Sequence, residues 1–229
     1  MSKVIQYSNK GSREVNQDYI SWLNLSESSS IYVLADGMGG YSYGDIAAKT
    51  VADSIIEYVA LNIQNYTSAE LLKEAVIYAN DCLMLKKLSL SAKQMGSVIV
   101  VLLLIGNEAF ITWLGDSRLY MFRNHQEVYR TTDHSVINEL SKINTLRGLD
   151  FEKYSNIVTK SVMGTDKVDE IEIKKVKTNP GDVFVMCSDG IHKQYSVSKI
   201  VEDCDSSLED MNDFSKVAND NISFIRIEI

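Results

Sequence analysis

The stretch from Ser30 to Asp45, SIYVLADGMGGYSYGD, decides how the rest of the chain is read. Its apolar run, Ile31 to Ala35, stops at Asp36 and gives way to Gly37, Met38, Gly39 and Gly40. Such a run is a buried strand, and the glycines behind it leave the backbone almost bare, so one carboxylate is delivered where main chain can approach a ligand. A carboxylate beside an exposed glycyl carbonyl supplies two hard oxygens, the ligand type that Mg²⁺ and Mn²⁺ prefer. Taken alone, the same residues also make an Asp-Gly turn with glycines for tight geometry. Gly44 and Asp45 then open a helix, Ile46 to about Leu61, with Ala47, Val51, Ile55 and Val59 on one face.

Upstream, Val4 to Tyr7 and Tyr19 to Leu25 read as strands, and Arg13 and Asp18 flank the polar connection between them. Downstream, Ser68 begins a second amphipathic helix with Leu71, Leu72, Ala75, Val76, Ala79 and Leu83 as its stripe. Strands follow at Val98 to Ile105, Ala109 to Leu114 and Leu119 to Arg123, with turns at Gly106-Asn107 and Asn124-His125. Asp133-His134-Ser135 caps a short helix reaching about Lys142, and residues 143–161 lack periodicity, as a mobile surface flap would. Glu170 to Lys177 reads as an exposed strand and Val183 to Cys187 as a buried one ending in Ser188-Asp189-Gly190. The acidic stretch from Glu202 to Asp213 suits one helix, and Asp220-Asn221 precedes a last strand, Ile222 to Ile229. Asp18, Asp36, Asp116, Asp189 and Asp220 thus all fall at strand ends or in adjoining turns.

A chain of 229 residues, 45% hydrophobic and 24% charged, suits a single domain over residues 1–229. The net charge of −8 argues against nucleic acid, which needs a basic surface. Three widely spaced cysteines and an N-terminus without an apolar signal region point to the cytoplasm. The longest apolar run, Val98 to Ile105, is too short to cross a bilayer, so no membrane is expected, and the chain is expected to be a monomer. The order strands, helices, strands, helix, strands fits two antiparallel sheets with helix pairs on their outer faces, an α+β arrangement.

Arg13-x-x-Asn16-Gln17-Asp18, Ala35-Asp36-Gly37-Met38-Gly39-Gly40, Met95-Gly96-Ser97, Gly115-Asp116-Ser117-Arg118, Asp133-His134-Ser135, Pro180-Gly181-Asp182, Ser188-Asp189-Gly190 and Asp220-Asn221-Ile222 resemble, in order, the motifs of the metal-dependent PP2C (PPM) protein phosphatases of bacterial type. The resemblance implies a four-layer α-β-β-α sandwich with a metal cluster in a cleft at one edge. It implies that Asp36 bridges two Mn²⁺ or Mg²⁺ ions, that the Gly37 carbonyl binds one, that Asp189 and Asp220 complete the other, and that Asp18 holds a metal or its waters. A water bridging the ions would attack phosphorus in phosphoserine or phosphothreonine of a protein substrate made by a Ser/Thr kinase. Arg13 would bind substrate phosphate through its planar donor fork. Arg118 better suits a salt bridge at a strand edge, His134 a cap partner and His192 the surface.

Three departures from the family pattern bear on the chemistry. Met38 stands where many eukaryotic relatives carry histidine, which leaves the general acid unassigned. Gln17 replaces a common glutamate. Lys193 stands where an aspartate often joins the Asp116 position around a third ion, so that site is expected to be weak or empty. The competing expectation is a catalytically silent PP2C-like module that binds a phosphoprotein or regulatory partner through Tyr41, Tyr43 and residues 143–161.

Overall fold

The fold comes from a computed structural model that describes residues 2–38, 42–142, 154, 157–202 and 204–229. Strands Lys3–Asn9 (β1), Asp18–Ser26 (β2) and Ser29–Gly37 (β3) lead into helices Gly44–Asn62 (α1) and Ser68–Ser89 (α2). Strands Ser97–Ile105 (β4), Glu108–Leu114 (β5), Arg118–Arg123 (β6) and Gln126–Arg130 (β7) follow, then helix Val136–Lys142 (α3). Strands Lys174–Lys177 (β8) and Val183–Cys187 (β9) precede helices Asp189–His192 (α4), Val197–Glu202 (α5) and Cys204–Ser215 (α6), and Ile222–Glu228 (β10) completes the order.

All pairings are antiparallel, in two sheets ordered β1-β10-β9-β6-β7 and β2-β3-β4-β5-β8. The alternation of side chains along a strand explains the layers. In β4, Ile99, Val101 and Leu103 face α1 and α2, whereas Val100, Leu102 and Leu104 face the other sheet. Both sides are buried, which is why this strand reads as an unbroken apolar run. Leu119, Met121, Phe184, Met186, Ile225 and Ile227 of the first sheet meet them across the middle layer. The outer face of that sheet, through Tyr120, Val185 and Phe224, is covered by Val197, Ile200 and Met211. The result is the expected four-layer α-β-β-α sandwich. Helix α2 starts with a capping box, in which Thr67 and Glu70 each accept the other's backbone N–H.

Several expectations need correction. Only Lys174–Lys177 of the expected Glu170–Lys177 strand pairs, because its partner segment is Glu108 to Ile111, and the Glu172 carbonyl instead accepts from the Thr112 hydroxyl at 2.8 Å. The chain after Asn124-His125 returns as β7, an edge strand that the sequence reading left out. Ser188-Asp189-Gly190 opens helix α4 in place of a plain turn, and helical structure begins at Val197, before the expected Glu202.

Most of the expected flap at 143–161 lies outside the described residues, as do Gly39, Gly40 and Tyr41. Residues 157–161 are tied down by a bridge between Val158 and Ser135 and by the Thr159 N–H donating to the His134 carbonyl at 2.8 Å. No helix among the described residues is long and apolar enough to cross a membrane.

Candidate metal centre

Strand register puts the first two carboxylates together. Asp18 opens β2 and Asp36 lies near the end of β3, and the two are direct cross-strand partners. Like charges placed opposite each other on one face destabilise a sheet, so this pair calls for a cation. The Asp36 carboxyl is pushed well above the usual carboxylate range, first by burial and then by Asp18, Asp189, Asp116 and Asp220. Burial also raises Asp18, to about 7, against the hydrogen bond from Ser188 that favours its charged form. The Ser188 hydroxyl donates to Asp18 Oδ2 at 2.8 Å, while the buried Oδ1 has no donor among the described residues.

The loops around this pair are set by close backbone contact. A Cβ on Gly37 would lie 2.1 Å from the Gly44 carbonyl oxygen, and one on Gly190 would lie 2.0 Å from that of Asn221. Only glycine permits either approach. Buried Asn221 ties the β1–β2 connection to the start of β10: its amide donates to the carbonyls of Lys10 (2.9 Å) and Val15 (3.0 Å), and its oxygen accepts from the Gln17 N–H (2.8 Å). Nothing near Asn221 or Ser188 in sequence reveals this clamp or the support that Ser188 gives Asp18, since their partners lie 170 or more residues earlier.

Asp36, Gly37, Asp116, Asp189, Asp220 and Arg13 line one cleft of about 640 Å³, whereas Asp18 does not line it. The structure therefore gathers the predicted residues at one place, but with partners of their own. Arg13 Nη2 contacts Asp220 Oδ2 at 2.9 Å, and its Nε donates to the Asn219 carbonyl at 3.2 Å. Lys193 Nζ lies 2.8 Å from Asp189 Oδ2 and 3.5 Å from Asp116 Oδ2. Burial alone would lower the lysine pKa, but the two carboxylates outweigh it and hold the ammonium above its usual range. Burial raises Asp116 to about 6, with Asp189 adding to the effect and Lys193 opposing it.

The histidines stand apart from the carboxylates' chemistry. His192 is not a surface residue as expected. Its Nε2–H donates to the Asp116 carbonyl at 2.9 Å, and burial lowers its pKa to about 4. His134 accepts the Gly115 N–H at Nδ1 (3.3 Å) and stacks on Trp113, which makes it the structural partner expected. Arg118 forms the expected salt bridge, with both carboxylate oxygens of Asp133 at 2.7 Å.

Among the described residues no three acidic, histidine or cysteine groups converge tightly enough to form a finished coordination sphere. The donor set still fits hard divalent cations. It is all oxygen, it holds two register-opposed carboxylates, and it leaves a buried carboxylate oxygen without a donor.

The model of the protein phosphatase 2C family matches residues 5–223. Protein phosphatase PhpP of Streptococcus pneumoniae is 30% identical over 192 residues, covering 82% of this chain and 78% of its own. The serine/threonine phosphatase stp of Listeria monocytogenes is 28% identical, covering 78% and 73%. Serine/threonine phosphatase Stp1 from Staphylococcus aureus has the same fold, with a TM-score of 0.85 at 24% identity over 100% of this chain and 95% of its own. The catalytic domain of PstP, whose structure holds two manganese ions, superposes with a TM-score of 0.78 at 20% identity, covering 99% and 97%. The chain belongs to the protein phosphatase 2C family. Its activity is that of a metal-dependent protein phosphatase, and these relatives lend no support to the silent binding module.

Proposed function

We propose that the chain removes phosphate from phosphoserine and phosphothreonine of protein substrates, opposing a Ser/Thr kinase, as a cytoplasmic monomer using two Mn²⁺ or Mg²⁺ ions. The observation that carries this reading is Asp36, a strand-end carboxylate that shares a cleft with Asp116, Asp189 and Asp220 and is opposed in register by Asp18. Asp36, the Gly37 carbonyl, Asp189 and Asp220 would hold the ions, with Asp18 beneath them. When bound, paired ions supply an activated water nucleophile and a clamp on the phosphoryl oxygens.

The chain's own residues prepare the ground for that chemistry. Ser188 orients Asp18, Asn221 fixes the loop that carries Arg13, and Arg13 stands at the rim with a fork that matches phosphate. Two manganese ions in the PstP structure and the phosphatase names of the sequence relatives support the reading.

The test is phosphate release from a phosphothreonine peptide with Mn²⁺ and with EDTA. Release that depends on Mn²⁺ is expected, and equal rates in the two conditions would remove the proposal.

A further inference from the structure

Asp116 and Asp189 come from distant parts of the chain, the loop after β5 and the first turn after β9, yet one ammonium joins them. Lys193 Nζ reaches Asp189 Oδ2 at 2.8 Å and Asp116 Oδ2 at 3.5 Å. Asp189 opens α4 and Lys193 is its C-cap, one turn on, which puts both side chains on the same side. The preceding residue, His192, holds the Asp116 carbonyl at 2.9 Å. Adjacent side chains therefore grip Asp116 by its main chain and by its carboxylate.

The lysine is partly exposed, yet both of its carboxylate partners hold it at the cleft. Its side chain is 33% exposed and lines the cleft, although a lysine stem loses much rotamer freedom when it is ordered. The compensation is charge. Asp116 is itself 7% exposed, and a buried carboxylate near a second one needs a cation close by. An ion coordinated by both carboxylates would have to take the place of the ammonium or tolerate its repulsion.

We propose that Lys193 is a resident cation that sets the ion count of the centre. It serves the Asp116–Asp189 end itself, so the chain binds two divalent ions and no third, and Asp116 acts as the partner of Lys193 rather than as an ion ligand. The inference rests on the phosphatase reading above and deepens it by assigning the stoichiometry to one side chain. Activity should accordingly rise with Mn²⁺ in one saturating phase, with no further gain in the millimolar range.

Native mass spectrometry and calorimetric titration of the full chain with Mn²⁺ test this in the unaltered protein, in Lys193→Asp and in Lys193→Met, which keeps the apolar stem and drops the charge. Two ions in the unaltered chain and a third, millimolar ion in Lys193→Asp are expected, with Lys193→Met also gaining a weak third ion. Two ions in all three proteins would overturn the inference and leave the phosphatase reading intact. Failure of the unaltered chain both to bind Mn²⁺ and to release phosphate would overturn the two together. Should the variants not fold, anomalous scattering from crystals of the unaltered chain in Mn²⁺ decides the matter. A peak between Asp116 and Asp189 contradicts the inference, and peaks confined to the Asp36 side support it.

Discussion

Asp18 and Asp36 face each other as register partners on neighbouring antiparallel strands, two carboxylates where a sheet ordinarily places an apolar or oppositely charged pair. An arrangement so unfavourable to the sheet is explained by the cations it would hold. Replacing Asp36 by Asn removes the charge while keeping the shape, and the same holds for Asp189→Asn. Each should lower turnover by about two to three orders of magnitude, the scale found when a key electrostatic group is lost. Steady-state kinetics at saturating Mn²⁺ check this, and near-normal turnover in either variant would sink the assignment.

Arg13 has two claims on it, since it pairs with Asp220 at the rim and is proposed to bind substrate phosphate. Arg13→Ala should raise KM for phosphopeptides several-fold, roughly tenfold for each 1.4 kcal/mol of lost binding, while calorimetry still finds Mn²⁺ bound. Unchanged KM and kcat would reduce Arg13 to a structural partner of Asp220.

Away from the cleft, the turn before β9 rests on Asp182, which accepts from Arg123 Nε (2.8 Å) and Nη2 (2.7 Å) and from the Asn179 N–H (2.7 Å). Burial pushes its pKa up, but these donors outweigh burial and hold it below the usual carboxylate value. A lowered folded pKa contributes stability that is present above the unfolded value of about 3.9 and is lost as pH falls through the folded one. Asp182→Asn should therefore be less stable than the unaltered chain at neutral pH, with the gap closing below about pH 4. Urea midpoints measured across that range test the sign, and a gap that widens in acid would refute it.

The Tyr32 hydroxyl is fully buried between the sheets and has no hydrogen-bond partner among the described residues. Its ring stacks on Trp22 with centroids 6.0 Å apart, and phenylalanine would keep that contact. Tyr32→Phe should raise stability by about 1 kcal/mol, because an unsatisfied buried polar group is removed. In a chain of this size that is a rise of about 2–4 °C in Tm. A fall in Tm would show that the hydroxyl has a partner.

What was legible in the sequence is what depends on near neighbours. The apolar run before Asp36, the turn at Gly106-Asn107 and the stripe from Leu71 to Leu83 each carry their own period, and each forms where expected. Strand β7 carries none, because its residues lie on a sheet edge with only Tyr129 half-buried, so no alternation marks it. His192 looked like a surface residue because nothing near it in sequence shows that Asp116, far earlier in the chain, meets it. The pairing of Arg13 with Asp220 was hidden for the same reason. Spacing could place both residues in motifs, but only the docking of the first loop on the last strand brings them together.

Strand β10 lies between β1 and β9, so the first sheet takes one of its inner strands from Ile222–Glu228, far along the chain from its neighbour β1. Without that strand β1 has no neighbour in its sheet, and the β1–β2 connection that carries Arg13 loses the hold of Asn221. Closing so long a loop makes assembly slow compared with a fold of local contacts. A chain cut short before Asp220 should accordingly be inert towards phosphoproteins and prone to stick through its open strand edges.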